Sequence, residues 1–189
     1  FRTNGISNAD WYVLLGGDGH QPATEPGNPD IVYAQWQQGN LYRIDKTTME
    51  SIYIKPQSGV GEQYERYNWD APILVSHHDP KRLYFGTQRV WRSDNRGDSW
   101  TPISTDLTKD EERLALPIMG RQQSFDNPWD VYAMSTYNTI TSLSESISNP
   151  NLLYAGTDDG IIQYTNNGGD NWTKMTVDKL PGSPSTAFV

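Results

Sequence analysis

The sequence predicts an all-β chain built from short, repeated, four-stranded antiparallel units. Three observations carry this expectation. A turn-and-strand segment recurs three times, two polar loops of identical spacing each end on a Trp, and the apolar content sits in rings rather than in aliphatic runs. Of 189 residues 35% are hydrophobic and 12% aromatic, with seven Trp and eleven Tyr, a composition that suits short strands better than amphipathic helices.

The recurring segment starts with an Asn/Asp-Pro turn. Its copies are Asn28-Pro29-Asp30-Ile31-Val32-Tyr33-Ala34, Asp79-Pro80-Lys81-Arg82-Leu83-Tyr84-Phe85 and Asn149-Pro150-Asn151-Leu152-Leu153-Tyr154-Ala155. Each delivers the chain into a strand with a Tyr at one fixed position. A second strand follows each: Leu41-Tyr42-Arg43-Ile44, Val90-Trp91-Arg92-Ser93 and Ile162-Gln163-Tyr164-Thr165. In the second and third copies a Gly-bearing loop then runs to a Trp, from Ser93 through Asn95, Gly97 and Ser99 to Trp100, and from Thr165 through Asn167 and Gly169 to Trp172. Trp100-Thr101-Pro102-Ile103 and Trp172-Thr173-Lys174-Met175 read as the last strands. Upstream of the Pro turns, Trp11-Tyr12-Val13-Leu14-Leu15, Ala71-Pro72-Ile73-Leu74-Val75-Ser76 and Thr139-Ile140-Thr141-Ser142-Leu143-Ser144 read as the first ones. Four-stranded units repeated at this size are β-propeller blades. The expected organisation is a blade over 11–56, a blade over 71–104, a long insertion over 105–136 with a short helix or ordered excursion at 110–116, a blade over 137–177 and a tail over 178–189.

Charge and composition exclude several functions. Fifteen Lys and Arg against 23 Asp and Glu give a net charge of −8, the wrong sign for a protein that neutralises nucleic-acid phosphates or an anionic membrane. The absence of Cys removes disulfides, thiolate metal sites and a Cys nucleophile. No stretch approaches the length of an apolar membrane span. The first residues, Phe1-Arg2-Thr3-Asn4, lack an initiating Met and an apolar signal core, so a processed or excised piece of a secreted or envelope-associated parent is expected. No cofactor or metal is called for: His77 and His78 are adjacent, and neighbours on a strand point to opposite faces. Asn171-Trp172-Thr173 matches the glycosylation pattern but falls inside a tight turn.

The two Gly-Trp loops resemble the Asp box of the BNR-repeat proteins, Ser/Thr-x-Asp-x-Gly-x-Thr-Trp, a hairpin between the third and fourth strands of a blade. Ser93, Gly97, Ser99 and Trp100 fit it, as do Thr165, Gly169 and Trp172, while Asn95 and Asn167 stand at the Asp position. The first unit is a degenerate copy with Thr48 at the Gly position. The Asx side chain suits a bond to the turn backbone, and the Gly suits positive φ. Over nearly the whole chain the resemblance is to BNR/Asp-box propellers, which include sialidases, xyloglucan-cleaving glycosidases and sortilin-like receptors. It extends to large bacterial proteins labelled glycosyl hydrolase or sortilin-like. It implies a propeller, and either a glycan- or protein-binding scaffold or a glycoside hydrolase.

A glycosidase needs two carboxylates converging on one cleft, about 5–10 Å apart. The candidates are Asp18 in Gly16-Gly17-Asp18-Gly19-His20 and Asp70 in Tyr67-Asn68-Trp69-Asp70, with Asp126 and Asp130 behind them. Trp69, Trp129, Tyr67 and His20 are the matching ligand contacts; the alternative is that Asp70 caps a turn and Trp69 packs between blades. The Gly-rich turn lacks the helix and the Lys-Ser/Thr of a phosphate loop. Arg2, Arg66, Arg89 and Arg121 are scattered rather than clustered, which disfavours a sialidase. Three blades do not close a ring, so the missing ones are expected from a longer chain or from self-association.

Overall fold

A computed structural model describes residues 5–118, 120–127, 130 and 136–175. Trp129, Arg2 and the tail over 178–189 lie outside the described residues. The strands form three four-stranded antiparallel meanders, each ordered as the chain runs. The first holds β1 (Ala23–Glu25), β2 (Asn28–Trp36), β3 (Asn40–Asp45) and β4 (Glu50–Tyr53). The second holds β5 (Ile73–Val75), β6 (Leu83–Gly86), β7 (Val90–Ser93) and β8 (Thr101–Pro102). Between it and the third lie a 3₁₀ turn at Arg113–Ala115, where the short helix is expected, and a hairpin of β9 (Pro117–Ile118) and β10 (Arg121–Gln122). The third meander holds β11 (Ile140–Glu145), β12 (Leu153–Thr157), β13 (Ile162–Thr165) and β14 (Thr173–Lys174). These are three blades of a β-propeller.

The blades are in phase. Across their last two strands Tyr42 faces Tyr53, Trp91 faces Pro102 and Gln163 faces Lys174. One residue beyond, the N–H groups of Ile54, Ile103 and Met175 donate to the carbonyls of Leu41, Val90 and Ile162 at 2.8–2.9 Å.

Strand alternation gives every sheet two faces, and consecutive blades meet face to face. Tyr33, Leu41 and Ile54 of the first blade pack with Leu83, Phe85 and Trp91 of the second, together with Tyr67 and Ala71. Tyr84 and Val90 of the second blade pack with Ile140, Leu153 and Ala155 of the third, together with Leu107. Full burial of one such side chain contributes about 1.5–3 kcal/mol, so the core lies between the blades rather than within any one of them.

One expected strand is absent. Residues 11–15 form no strand, and Trp11, Tyr12 and Val13 are exposed. Ala23–Glu25 takes the position instead, because Pro26-Gly27 turns it directly back into β2, with Gly27 at φ +78°. Pro followed by a positive-φ Gly is the signature of a type II turn. In the other two units the Pro stays in the turn ahead of the strand, whereas Pro29 is already inside β2.

Candidate functional site

In a meander the first and third turns share one rim, and the second turn shares the opposite rim with the blade-to-blade connections. The two Gly-Trp hairpins stand on the first rim and have the same hydrogen bonding. Ser93 Oγ accepts from Gly97 N–H at 2.8 Å and donates to Asn95 Oδ1 at 2.9 Å, and Asn95 Oδ1 accepts from Ser99 N–H at 2.9 Å. In the other hairpin Thr165 Oγ1 accepts from Gly169 N–H at 3.0 Å and donates to Asn167 Oδ1 at 2.7 Å, which accepts from Asn171 N–H at 3.0 Å. The Asn carbonyl oxygen serves as the acceptor in both turns, and in the first the Asn95 amide also donates to Ser99 Oγ at 2.9 Å.

Both hairpins also reach backwards. Trp100 Nε1 donates to the Ile54 carbonyl of the preceding blade at 2.6 Å, and Trp172 Nε1 donates to the Ile103 carbonyl at 2.8 Å. Gly97, at φ +89°, lies against the Ile54 side chain, and Gly169, at φ +108°, against Ile103. Both Trp rings are half-buried. Arg96 adds a paired contact to the preceding blade, with Nε and Nη2 on the buried Glu25 carboxylate at 2.6 and 2.7 Å. A groove of about 460 Å³ opens beside it, but its Arg43 and Arg96 are already held by Asp98 and Glu25.

The opposite rim brings together residues far apart in sequence. The Gly-rich loop lies over the end of β2: Asp18 N–H donates to Gln37 Oε1 at 3.3 Å, and a Cβ on Gly17 or Gly19 would collide with Trp36 or the Gln35 carbonyl. The close approach that needs glycine is therefore to the protein's own backbone. His20 N–H donates to Asp70 Oδ1 at 3.0 Å, and the His20 ring stands 4.0 Å from the same carboxylate. Asp70 N–H is in turn held by Asn68 Oδ1, and the Trp69 carbonyl accepts from Gln38. Asp18, His20, Trp69 and Asp70 thus share one patch beside the exposed Trp36, with Asp18 and His20 exposed and Trp69 and Asp70 half-buried.

Tyr67 does not join them. It is buried, donates its hydroxyl to the Pro56 carbonyl and packs 6.1 Å from Phe85 under the Lys55 ammonium, which makes it a core residue instead of a sugar platform. Asp126 is exposed on the insertion, while Asp130 is buried and bonded by Arg121, Ser124 N–H and Asn127. The Arg121 guanidinium holds the Asp130 carboxyl below the usual carboxylate range. His77 and His78 lie in the turn after β5 rather than on a strand. Among the described residues no group of three or more His, Cys, Asp or Glu is placed to hold a metal ion.

No protein-family model matches the chain. No curated protein matches it either. Among solved structures the chain is similar to U3-55K, with a TM-score of 0.58 and 10% identity over 93% of this chain and 45% of that one. A GH74 xyloglucanase from Xanthomonas campestris follows at TM-score 0.48 and 12% identity, covering 83% of this chain and 21% of the enzyme. YCF48 from Cyanidioschyzon merolae matches at 0.46 and 14%, covering 82% and 35%. The first likeness is one of fold, and the other two scores are too low to carry an argument. The chain spans less than half the length of each of the three.

Beside the patch lies a buried polar network that sequence reading missed. Asp158 accepts from Thr139 N–H at 2.9 Å, from Thr139 Oγ1 at 2.8 Å and from Asn68 Nδ2 at 3.5 Å. Burial pushes the Asp158 carboxyl up, against the pull of those donors. Asp159 is fully buried and accepts from Lys109 N–H and Thr157 Oγ1. Arg66 bridges Asp106, Asp110 and the Asn138 carbonyl, and Arg89 grips the buried Glu65, which also accepts from Thr87 and Trp91. Of the arginines expected to be scattered, the three described ones, Arg66, Arg89 and Arg121, are each tied to a carboxylate. Thr87 and Thr157 close equivalent turns by accepting from Arg89 N–H and Ile161 N–H, so the repeated Gly-Thr at 86–87 and 156–157 was the available signal.

Proposed function

We propose that this chain is a binding-scaffold segment of a BNR-repeat, Asp-box propeller of the sortilin-like kind, contacting a protein or glycan through the rim that carries Asp18, His20, Trp69 and Asp70. One observation carries the reading: the buried carboxylates of that rim are committed to internal donors, which makes the rim rigid and leaves the exposed Trp36, His20 and Asp18 beside the half-buried Trp69 above it. Rigid loops with half-exposed aromatics suit recognition, because little ordering entropy is lost on binding. No nucleic acid or membrane insertion belongs to this reading: the net charge is −8, and among the described residues no helix is long and apolar enough to cross a membrane. An extracellular or cell-envelope setting does belong to it.

A second reading is part of a glycoside hydrolase with Asp18 and Asp70 as the carboxylate pair. It is favoured by one contact, the His20 N–H to Asp70 bond that draws the Asp18 loop toward Asp70. A hydrolase needs one carboxyl held protonated and the other ionised. The carboxyl raised by burial is Asp158, which three donors hold away from solvent. Titration of the chain with a panel of plant and animal oligosaccharides separates the two: saturable binding lost in Trp69→Ala without turnover supports the scaffold, and turnover abolished by Asp70→Asn supports the hydrolase.

A further inference from the structure

The two internal interfaces define what a blade needs on its forward face, and among the described residues no blade packs on that face of the third. At the first, Tyr33 is 0%, Leu41 0% and Ile54 4% exposed under the second blade. At the second, Tyr84 is 2% and Val90 0% exposed under the third. The matching positions on the third blade are Tyr154, 36% exposed, and Ile162, 37% exposed, followed by Met175. The equivalence is set by register: Gln35, Gly86 and Gly156 pair with Leu41, Val90 and Ile162, and Met175 N–H donates to Ile162 as Ile54 N–H donates to Leu41. Tyr154 and Tyr164 lie 6.0 Å apart and extend the apolar face.

We infer that the face formed by Tyr154, Ile162 and Met175 is a docking socket for a further four-stranded blade that carries a Gly-Trp hairpin. That blade's Trp indole N–H donates to the Met175 carbonyl, its hairpin Gly packs on the Met175 side chain, and a Leu/Phe-type strand face covers Tyr154 and Ile162. Each element is copied from the two sockets at Ile54 and Ile103.

A second copy of this chain stacking through its first blade does not supply such a hairpin. Its first blade has the same spacing between its third and fourth strands, but Ile44, Lys46, Thr48 and Ser51 stand where the second blade has Ser93, Asn95, Gly97 and Trp100. The hydroxyl acceptor, the Asx oxygen, the Gly and the indole donor are all missing. Thr48 at the Gly position would press a Cβ and a methyl into the residue that Gly97 accommodates, and Ser51 has no ring to reach the carbonyl. The occupant is therefore a boxed blade distinct from this chain's first, and the inference stands whatever ligand the opposite rim binds.

The test extends the full chain after Val189 with a second copy of residues 55–104, which supplies a boxed blade on a connector intermediate in length between the two natural ones. The expected result is an appended segment that resists limited proteolysis, losing its protection when Ile162→Lys is introduced and, separately, when Trp100→Phe is introduced in the appended copy alone. Ile162→Lys in the unextended chain is expected to leave the urea midpoint nearly unchanged. Equal digestion of the appended segment with and without Ile162→Lys would overturn the inference. So would sedimentation of the unextended chain as a dimer that Ile162→Lys dissociates, since the face would then take a second copy.

Discussion

Replacing Gly97 by Ala adds one methyl group at the contact between the first two blades. A Cβ built there comes 2.6 Å from Ile54 Cδ1 and 2.9 Å from Ile54 Cβ, on a backbone at φ +89°. Gly27 is the control, with φ +78° and open space where its Cβ would fall. A left-handed φ costs an L-residue about 1–2 kcal/mol, partly offset by the lower chain entropy of unfolded Ala, about 0.4–1 kcal/mol. Both substitutions carry those two contributions, so they cancel in the comparison. Gly97→Ala adds an overpacking cost of about 1–3 kcal/mol, because Ile54 is itself buried and fixed by its bonds to Leu41 and Trp100. Urea unfolding followed by Trp fluorescence gives both stabilities. Gly97→Ala is expected to be less stable than Gly27→Ala by about 1–3 kcal/mol. A difference below about 0.5 kcal/mol, the range of an ordinary surface change, would show that Gly97 does not press on Ile54 in solution.

Arg96→Ala leaves the buried Glu25 carboxylate with only the long Tyr33 contact, and is expected to cost about 2 kcal/mol, below the figure for a fully buried pair because Arg96 keeps 34% of its side chain in water; Glu25→Gln in the same chain should recover part of the loss in thermal melts. Asp158, whose carboxyl is raised by burial from 3.8, is held more tightly protonated in the folded chain than in the unfolded one. Wild-type stability relative to Asp158→Asn should therefore fall as pH rises from 3.8 through the elevated folded value and then level off, and a difference that grows with pH in urea titrations would reverse the assignment. The chain is expected to release no sugar from an oligosaccharide panel, and Asp18→Asn and Asp70→Asn to leave that result unchanged; release abolished by either substitution would promote the hydrolase reading.

What was legible in the sequence was local. The run from Ser93 to Trp100 contains its own hydrogen-bond acceptors, its Gly and its ring, so its shape follows from eight consecutive residues and recurs at Thr165 to Trp172. The strand Tyr positions were legible for the same reason, although Tyr154 differs from Tyr33 and Tyr84 in burial because burial depends on the next blade. The first strand was misplaced because the apolar run at 11–15 outweighed Pro26-Gly27, a turn that pairs only three residues. The rim was half legible. Asp18, His20, Trp69 and Asp70 do share a patch, but Tyr67, two residues from Trp69, points into the core, and strand alternation does not govern a loop. Asp158, Asp159 and Glu65 escaped notice because their partners lie far away in sequence: Asn68 is 90 residues from Asp158, and Lys109 is 50 from Asp159. A buried carboxylate looks the same in sequence as a solvated one until its donors are placed.

The central claim is that Gly-Trp hairpins lock consecutive blades through an indole N–H on the preceding blade's carbonyl. Hydrogen exchange of the indole protons in ¹⁵N-labelled protein tests it most directly, with the exposed Trp11 as the internal reference. The account predicts that the Trp100 and Trp172 indole protons exchange far more slowly than that of Trp11, and that Gly97→Ala accelerates Trp100 while leaving Trp172 nearly unchanged. Exchange of Trp100 and Trp172 as fast as Trp11 would contradict it.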